Sequence, residues 1–237
     1  MNFKILLALG VAVFMPGQAY AVKNVSSPYV SAGEWEVESK TQYEIDDDNS
    51  VDGTFEQAFE FGYGVTDSFG IEAGIEFEDT PDEDFEAKKI EVEATFQFTE
   101  KGDYYIDSGV KFEYAHNLQG GNDEVGAKLL LAKGYDKFYH GANIGVETEI
   151  GDDADERGEW ALGWKSKYKH HENFNPGFEY YADFGDGTKD YEDQKHLIGP
   201  VAYGDIMHGV EYEAGVLFGI SEAAPDAALK FILEYEF

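Results

Sequence analysis

Along most of this chain apolar and polar residues alternate one for one. A period of two is the signature of a β-strand with unlike faces. It predicts about twelve strands, over residues 34–43, 54–65, 68–78, 85–98, 104–115, 125–132, 138–150, 160–168, 178–184, 195–203, 208–220 and 227–237. In the third, Phe69, Ile71, Ala73, Ile75 and Phe77 oppose Glu72, Gly74, Glu76 and Glu78. The last sets Leu229, Phe231, Leu233, Tyr235 and Phe237 against Lys230, Ile232, Glu234 and Glu236, and stops on an aromatic. Two segments are less regular. The sixth carries Leu129, Leu130 and Leu131 in a row, and the tenth contains Pro200, which has no N–H for a ladder and predicts a bulge or a strand end.

The connections form two alternating sets. One is acidic: residues 46–52, 79–84, 117–123, 151–156, 185–193 and 221–226. The other is mostly tight and mixed: 66–67, 99–103, 134–137, 170–176 and 204–207. An even strand count puts both termini at the end that carries the second set. Aromatics of the apolar face crowd the segment ends. Trp35, Tyr63, Phe69, Phe98, Tyr104, Phe138, Tyr168, Phe178, Tyr203 and Phe237 are expected near the termini, and Tyr43, Phe55, Phe77, Tyr114, Trp160, Phe184 and Phe218 at the other end. Two such girdles suit the two interfaces of a membrane. A soluble sandwich or lipocalin-like barrel would bury the apolar face instead. The strand number, the crowded aromatics and the heavily charged polar face all weigh against it.

The closing strand resembles that of bacterial outer-membrane β-barrels, small porin-like ones in particular. The resemblance implies an all-β, transmembrane, antiparallel up-and-down barrel with both termini periplasmic, set in outer-membrane lipid and lipopolysaccharide. It further implies that Phe231, Leu233, Tyr235 and Phe237 form the signal read by the barrel assembly machinery. The start of the chain agrees with export. Lys4, the short apolar run Ile5 to Phe14 and Ala19-Tyr20-Ala21 read as a signal peptide over residues 1–21. Residues 22–33 then become a periplasmic N-terminal segment and 34–237 the barrel. No later stretch offers the roughly 20 apolar residues of a spanning helix.

Charge sharpens this reading. The formal net charge is −32 with a pI near 4.2, which argues against nucleic acid as a partner. Aromatics at 16% argue against disorder. Cysteine is absent, so thiolate zinc and cysteine nucleophiles are excluded. The polar face, turned inward in such a barrel, is mostly acidic: Glu36, Glu60, Glu72, Glu76, Glu91, Glu93, Glu113, Glu147, Glu149, Glu179, Glu211, Glu213 and Glu234. Its bases are fewer: Lys89, Lys111, Lys128, Lys165, Lys167 and Lys230. A low-dielectric wall of one sign concentrates counter-ions, and acidic rings favour cations. Passive diffusion of small cationic or neutral solutes is the expectation. A closed barrel serving as envelope scaffold, adhesin or divalent-ion-bridged component is the alternative.

Smaller features leave choices open. Lys165, Lys167 and Lys169 form a ladder beside Glu147, Glu149, Glu179 and Asp183, either as mutual scaffolding or as one wall of a transverse field. Inward glycines such as Gly64, Gly109 and Gly163 carve space or allow coiling. Among the few inward apolar and aromatic residues are Tyr105, Ile198, Leu217 and Ile232. The last three either seat the N-terminal segment, with its Val25, Tyr29 and Val30, or form a greasy track for a solute. None of the outer loops is long enough to fold deep into the lumen. Of the histidines, only His116 lies near the outer ends, with no serine beside it, so no enzyme is expected. No cofactor is expected either. Acidic loops at 46–48 and 151–156 offer at most weak Ca²⁺ or Mg²⁺ ligation.

Overall fold

The computed structural model describes residues 22–152, 154 and 157–237. The expected signal peptide, residues 1–21, lies outside the described residues. Twelve strands follow: β1 (Trp35–Ile45), β2 (Phe55–Thr66), β3 (Phe69–Thr80), β4 (Glu83–Gln97), β5 (Asp107–Asn117), β6 (Asp123–Tyr135), β7 (Phe138–Ile150), β8 (Glu159–Tyr168), β9 (Asn175–Gly185), β10 (Lys195–Met207), β11 (Val210–Gly219) and β12 (Ala227–Glu236). Each pairs antiparallel with its chain neighbours, and β1 pairs with β12 to close the barrel. Closure leaves no unpaired edge, the condition for a sheet to stand in lipid. The seam is finished by Trp35 and Phe237, whose backbones exchange N–H···O bonds of 3.0 and 2.9 Å. Both therefore lie at one end, called here the terminal end.

The alternation sorts side chains as a pleat must. Phe59, Phe61, Ile71, Val92, Phe112, Leu229 and Phe231 are exposed on the outer wall, while Glu38, Lys40, Gln42 and Glu44 of β1 are buried inside. Aromatic pairs gird the terminal end, with Trp35 and Tyr63 ring centres 4.3 Å apart and Phe138 and Tyr168 5.2 Å apart. The run of three leucines resolves by the same rule: Leu130 is fully buried within the barrel and Leu129 is exposed outside.

β10 departs from expectation. Pro200 neither bulges nor ends it. The strand continues to Met207, keeps one register with β11 on both sides of the proline, and becomes irregular only between Asp205 and Met207. A Cβ at Gly199 would collide with the Val216 carbonyl oxygen, so β10 and β11 approach closely there. The two faces are also exchanged. Tyr203, expected in the lipid girdle, is 2% exposed inside the barrel, and Leu197 and Val201 join it. Ile198, expected inside, pairs with the outward Phe218. One residue of offset inverts a strand, and β10 is apolar on both faces, so its pattern does not choose between them. Tyr105 is a further correction: it precedes β5 and is 84% exposed, over which Lys133 places its ammonium 4.8 Å from the ring centre.

Candidate functional site

Inside the barrel lies the chain's own N-terminal segment. At Gly33, whose φ of +83° favours glycine, the chain turns and residues 22–32 run up through the lumen. The contacts trace its course from the terminal end. Ala32 N–H donates to Asp67 (3.2 Å), Val30 N–H to Gln97 (2.8 Å) and Tyr29 hydroxyl to Asp107 (2.7 Å). Higher up, Asn143 accepts from Ser26 N–H (2.7 Å) and donates to its carbonyl (3.0 Å). Lys23 ends the track, its N–H on Gln42 (3.2 Å) and its ammonium on Asp183 (2.9 Å). The inward glycines give it room: Val30 packs over Gly70, Pro28 over Gly109, and Val25 over Gly141 and Gly163.

Val25 is the apolar anchor. It is fully buried in a cluster with Tyr181, Leu197, Val201, Tyr203, Leu217, Ala224 and Ala228. Leu217 thus seats the N-terminal segment, as one of the two sequence readings had it, while Ile232 is buried on the same side. Ala224 belongs to the connection between β11 and β12, so that short loop contributes one buried residue to the cluster. Below the cluster, Glu179 and Lys230 pair at 2.8 Å with both side chains 0% exposed. Tyr203 and Tyr181 donate to the same carboxylate at 2.7 and 3.0 Å. Two charges removed from water are tolerated only with this degree of satisfaction.

The opposite half of the lumen is charged and cross-linked. Lys111 bridges Glu72 and Glu93, Lys128 bridges Glu93 and Glu113, Lys40 bridges Glu38 and Glu60, and Lys89 pairs with Glu124. Around the segment a chamber of about 60 Å³ is lined by Glu60, Glu76, Glu91, Glu93, Glu113, Glu147, Lys89 and Lys128. Toward the terminal end a larger cavity of about 610 Å³ is lined by Glu36, Glu72, Glu211, Glu213, Glu234, Lys165 and Lys167. Glu149 binds Asn122 at 2.9 Å. Among the described residues the lysine ladder makes no salt bridge to the flanking acids: Lys165, although opposite Glu179 in the β8–β9 register, reaches Glu213 at 3.2 Å, and Lys167 lies over the rings of Tyr203 (5.1 Å) and Tyr139 (5.8 Å). The alternation puts Gln42 and Gln97 on the polar face without marking them as ligands of the segment, and Asn143 carries no other signal. Each is an inward-parity amide, and that parity was the one signal available.

Two glutamate trios bring carboxylate oxygens within 4.8 Å of one another, Glu60–Glu72–Glu93 and Glu36–Glu234–Glu236. Lys40 and Lys111 already neutralise the first. In the acidic loop 46–52, Asp46 accepts from Asp48 N–H (2.6 Å). The Ser50 N–H and hydroxyl hold the Asp48 carboxyl below its usual range. The Thr188 hydroxyl and N–H do the same for Asp186. These oxygens are engaged within their own turns, and Asp186 also accepts from the Arg157 guanidinium at 2.6 Å. Residues 153, 155 and 156 of the other acidic loop lie outside the described residues.

A closed twelve-strand antiparallel barrel with an apolar outer wall and a charged interior has the form of the transmembrane β-barrels, porins among them. No protein-family model matches the sequence, and no curated protein does. The likeness is to solved structures. The NanC porin superposes with a TM-score of 0.59 at 10% identity, over 85% of this chain and 98% of that one. The translocator domain of the autotransporter NalP from Neisseria meningitidis superposes with a TM-score of 0.50 at 10% identity, over 87% and 89%. At such identities the shared property is the fold.

Proposed function

We propose that this protein is a porin-like channel for passive diffusion of small cationic or neutral solutes, with the terminal end in the periplasm. The observation that carries this is the surplus of acid in the lumen wall. Glu36, Glu76, Glu91, Glu147, Glu211 and Glu234 line the two cavities with no lysine partner among the described residues. In a low-dielectric tube those carboxylates attract cations and repel anions. Residues 22–32 occupy part of the lumen, so full conduction calls for a state in which that segment has moved.

Single-channel recording in a planar bilayer under a KCl gradient tests the reading. A cation-selective reversal potential is expected, and Glu91→Gln with Glu147→Gln weakens it. An anion-selective potential overturns it and hands control of the lumen to Lys165 and Lys167. One observation favours a second reading, a closed envelope scaffold: the interior is filled by its own segment and braced by Lys40, Lys111 and Lys128. A folded barrel that stays silent with and without residues 22–32 establishes that one.

A further inference from the structure

We propose that the barrel interior is a binding groove for an extended polypeptide, and that residues 22–32 are its tethered occupant. That displacement opens a conduit rests on the channel reading above; the binding itself does not.

The wall recognises this segment chiefly by its backbone. Gln42, Gln97 and Asn143 project from β1, β4 and β7, and each accepts a main-chain N–H, from Lys23, Val30 and Ser26 respectively. Asn143 also donates to the Ser26 carbonyl at 3.0 Å, so one amide satisfies both polar groups of one residue. Carboxamides spaced along a track read an extended chain whatever its side chains are, as an added strand is read at a sheet edge. Clearance comes from missing side chains. A Cβ at Gly64 would collide with the Ser31 carbonyl oxygen, and one at Gly109 would meet Pro28 at 3.2 Å. Selection comes from three sites: Asp183 for a cationic side chain, Asp107 for a hydroxyl, and the Val25 pocket for a small apolar one.

The same geometry makes the occupant exchangeable. Among the described residues, 22–32 make no backbone–backbone hydrogen bond to any strand; the first such bond is at the root, from Gly33 N–H to the Gly64 carbonyl at 2.7 Å. Among the described residues, the hydrogen bonds from residues 22–32 to the strands therefore end on wall side chains, which remain when the segment leaves. The 610 Å³ cavity runs beside residues 24–31 toward the terminal end and supplies the space for exit and entry. The ligand class follows: an extended peptide of small residues bearing a basic group and an aromatic hydroxyl, entering at the terminal end. A tethered occupant competes at an effective concentration on the order of millimolar, so a peptide in trans binds appreciably only once the tether is gone.

The test uses a fluorescent synthetic peptide of residues 22–32 and the barrel lacking those residues, refolded in detergent and checked for heat-modifiable migration. Saturable binding is expected, about tenfold or more tighter than to the full chain, and weakened about tenfold by Asn143→Ala with Gln97→Ala. If the deletion variant does not refold, Gly33→Val in the full chain, which strains the turn that sends the segment inward and leaves the groove itself unchanged, must bind the peptide more tightly than the parent chain. No saturable binding by the folded variant overturns the groove. So does equal binding to the full chain and to the amide double variant, which is surface adsorption. Bilayer recording separates the two readings: peptide binding without conductance leaves the groove standing and the channel reading lost, and conductance without peptide binding does the reverse.

Discussion

Glu179 carries the greatest weight of any one side chain. It is fully buried and holds Lys230, Tyr181 and Tyr203 together beneath the Val25 cluster. Removing one partner of a buried ion pair costs about 3–5 kcal/mol when the other charge is stranded; Lys230 keeps Glu213 at 3.2 Å, so the loss here is about 3 kcal/mol, the low end of that range. Glu179→Ala is expected to lose that much in urea unfolding followed by tryptophan fluorescence in lipid vesicles. Glu179→Gln combined with Lys230→Met, which leaves no stranded charge, loses less than the single change. Equal losses would mean that the pair matters only as packing. Gly33 is a residue of another kind, with a φ of +83° at the turn that sends the segment inward. Gly33→Val places a β-branched side chain in the left-handed region, at about 1–2 kcal/mol. It is expected to raise protease cleavage within residues 22–32 while the barrel stays heat-modifiable.

Among the elements, β12 does two things. Its inward Lys230 and Ile232 belong to the core, and its outward Phe231 and Tyr235 face the surroundings of the barrel. Phe237 then joins Trp35 by two backbone bonds at the seam. Deleting Phe237 removes those bonds and the last aromatic of the expected assembly signal. The expected outcome is less heat-modifiable barrel in outer-membrane fractions of cells, with refolding of the purified chain in detergent nearly unchanged. A comparable loss in both would assign the terminal aromatic to stability instead of assembly. Strand β10 shows how an element is misread when its two faces are alike. Gly199, Val201 and Tyr203 turn inward because the Val25 cluster gives apolar groups a dry place inside.

At the scale of the whole molecule the lumen has two halves. Strands β9–β12 build the apolar pocket around Val25, while glutamates and lysines line the rest, including Glu211, Glu213 and Glu234 of β11 and β12 toward the terminal end. The segment threaded between them touches both, so closure and charge are coupled. Selectivity should then depend on ionic strength in a calculable way. The Debye length falls from about 10 Å at 0.1 M salt to about 3 Å at 1 M. The cation preference expected of the unplugged barrel should shrink steeply between those salts, read from reversal potentials at a fixed gradient ratio. A preference that persists at 1 M would point to direct carboxylate coordination, with the Glu36–Glu234–Glu236 trio as the place to mutate.

By itself, the sequence determined the strands, their order and their faces wherever one face was apolar and the other charged. Alternation is a local property of the backbone pleat, and twelve such segments with tight turns have few ways to pair. It also put Glu60, Glu91, Glu93, Lys111 and Lys128 on the inward face, since parity alone decides that. Which acid meets which base was settled only in three dimensions. Lys165 reaches Glu213 on β11 because the curvature of a closed sheet brings non-adjacent strands within side-chain reach. The course of residues 22–32 was likewise beyond local reading. Those residues have no strand pattern, and what holds them is a set of amides and glycines scattered over β1, β2, β3, β4, β5, β7 and β8. Only barrel closure brings these groups around one axis, and long-range closure leaves no trace in local periodicity.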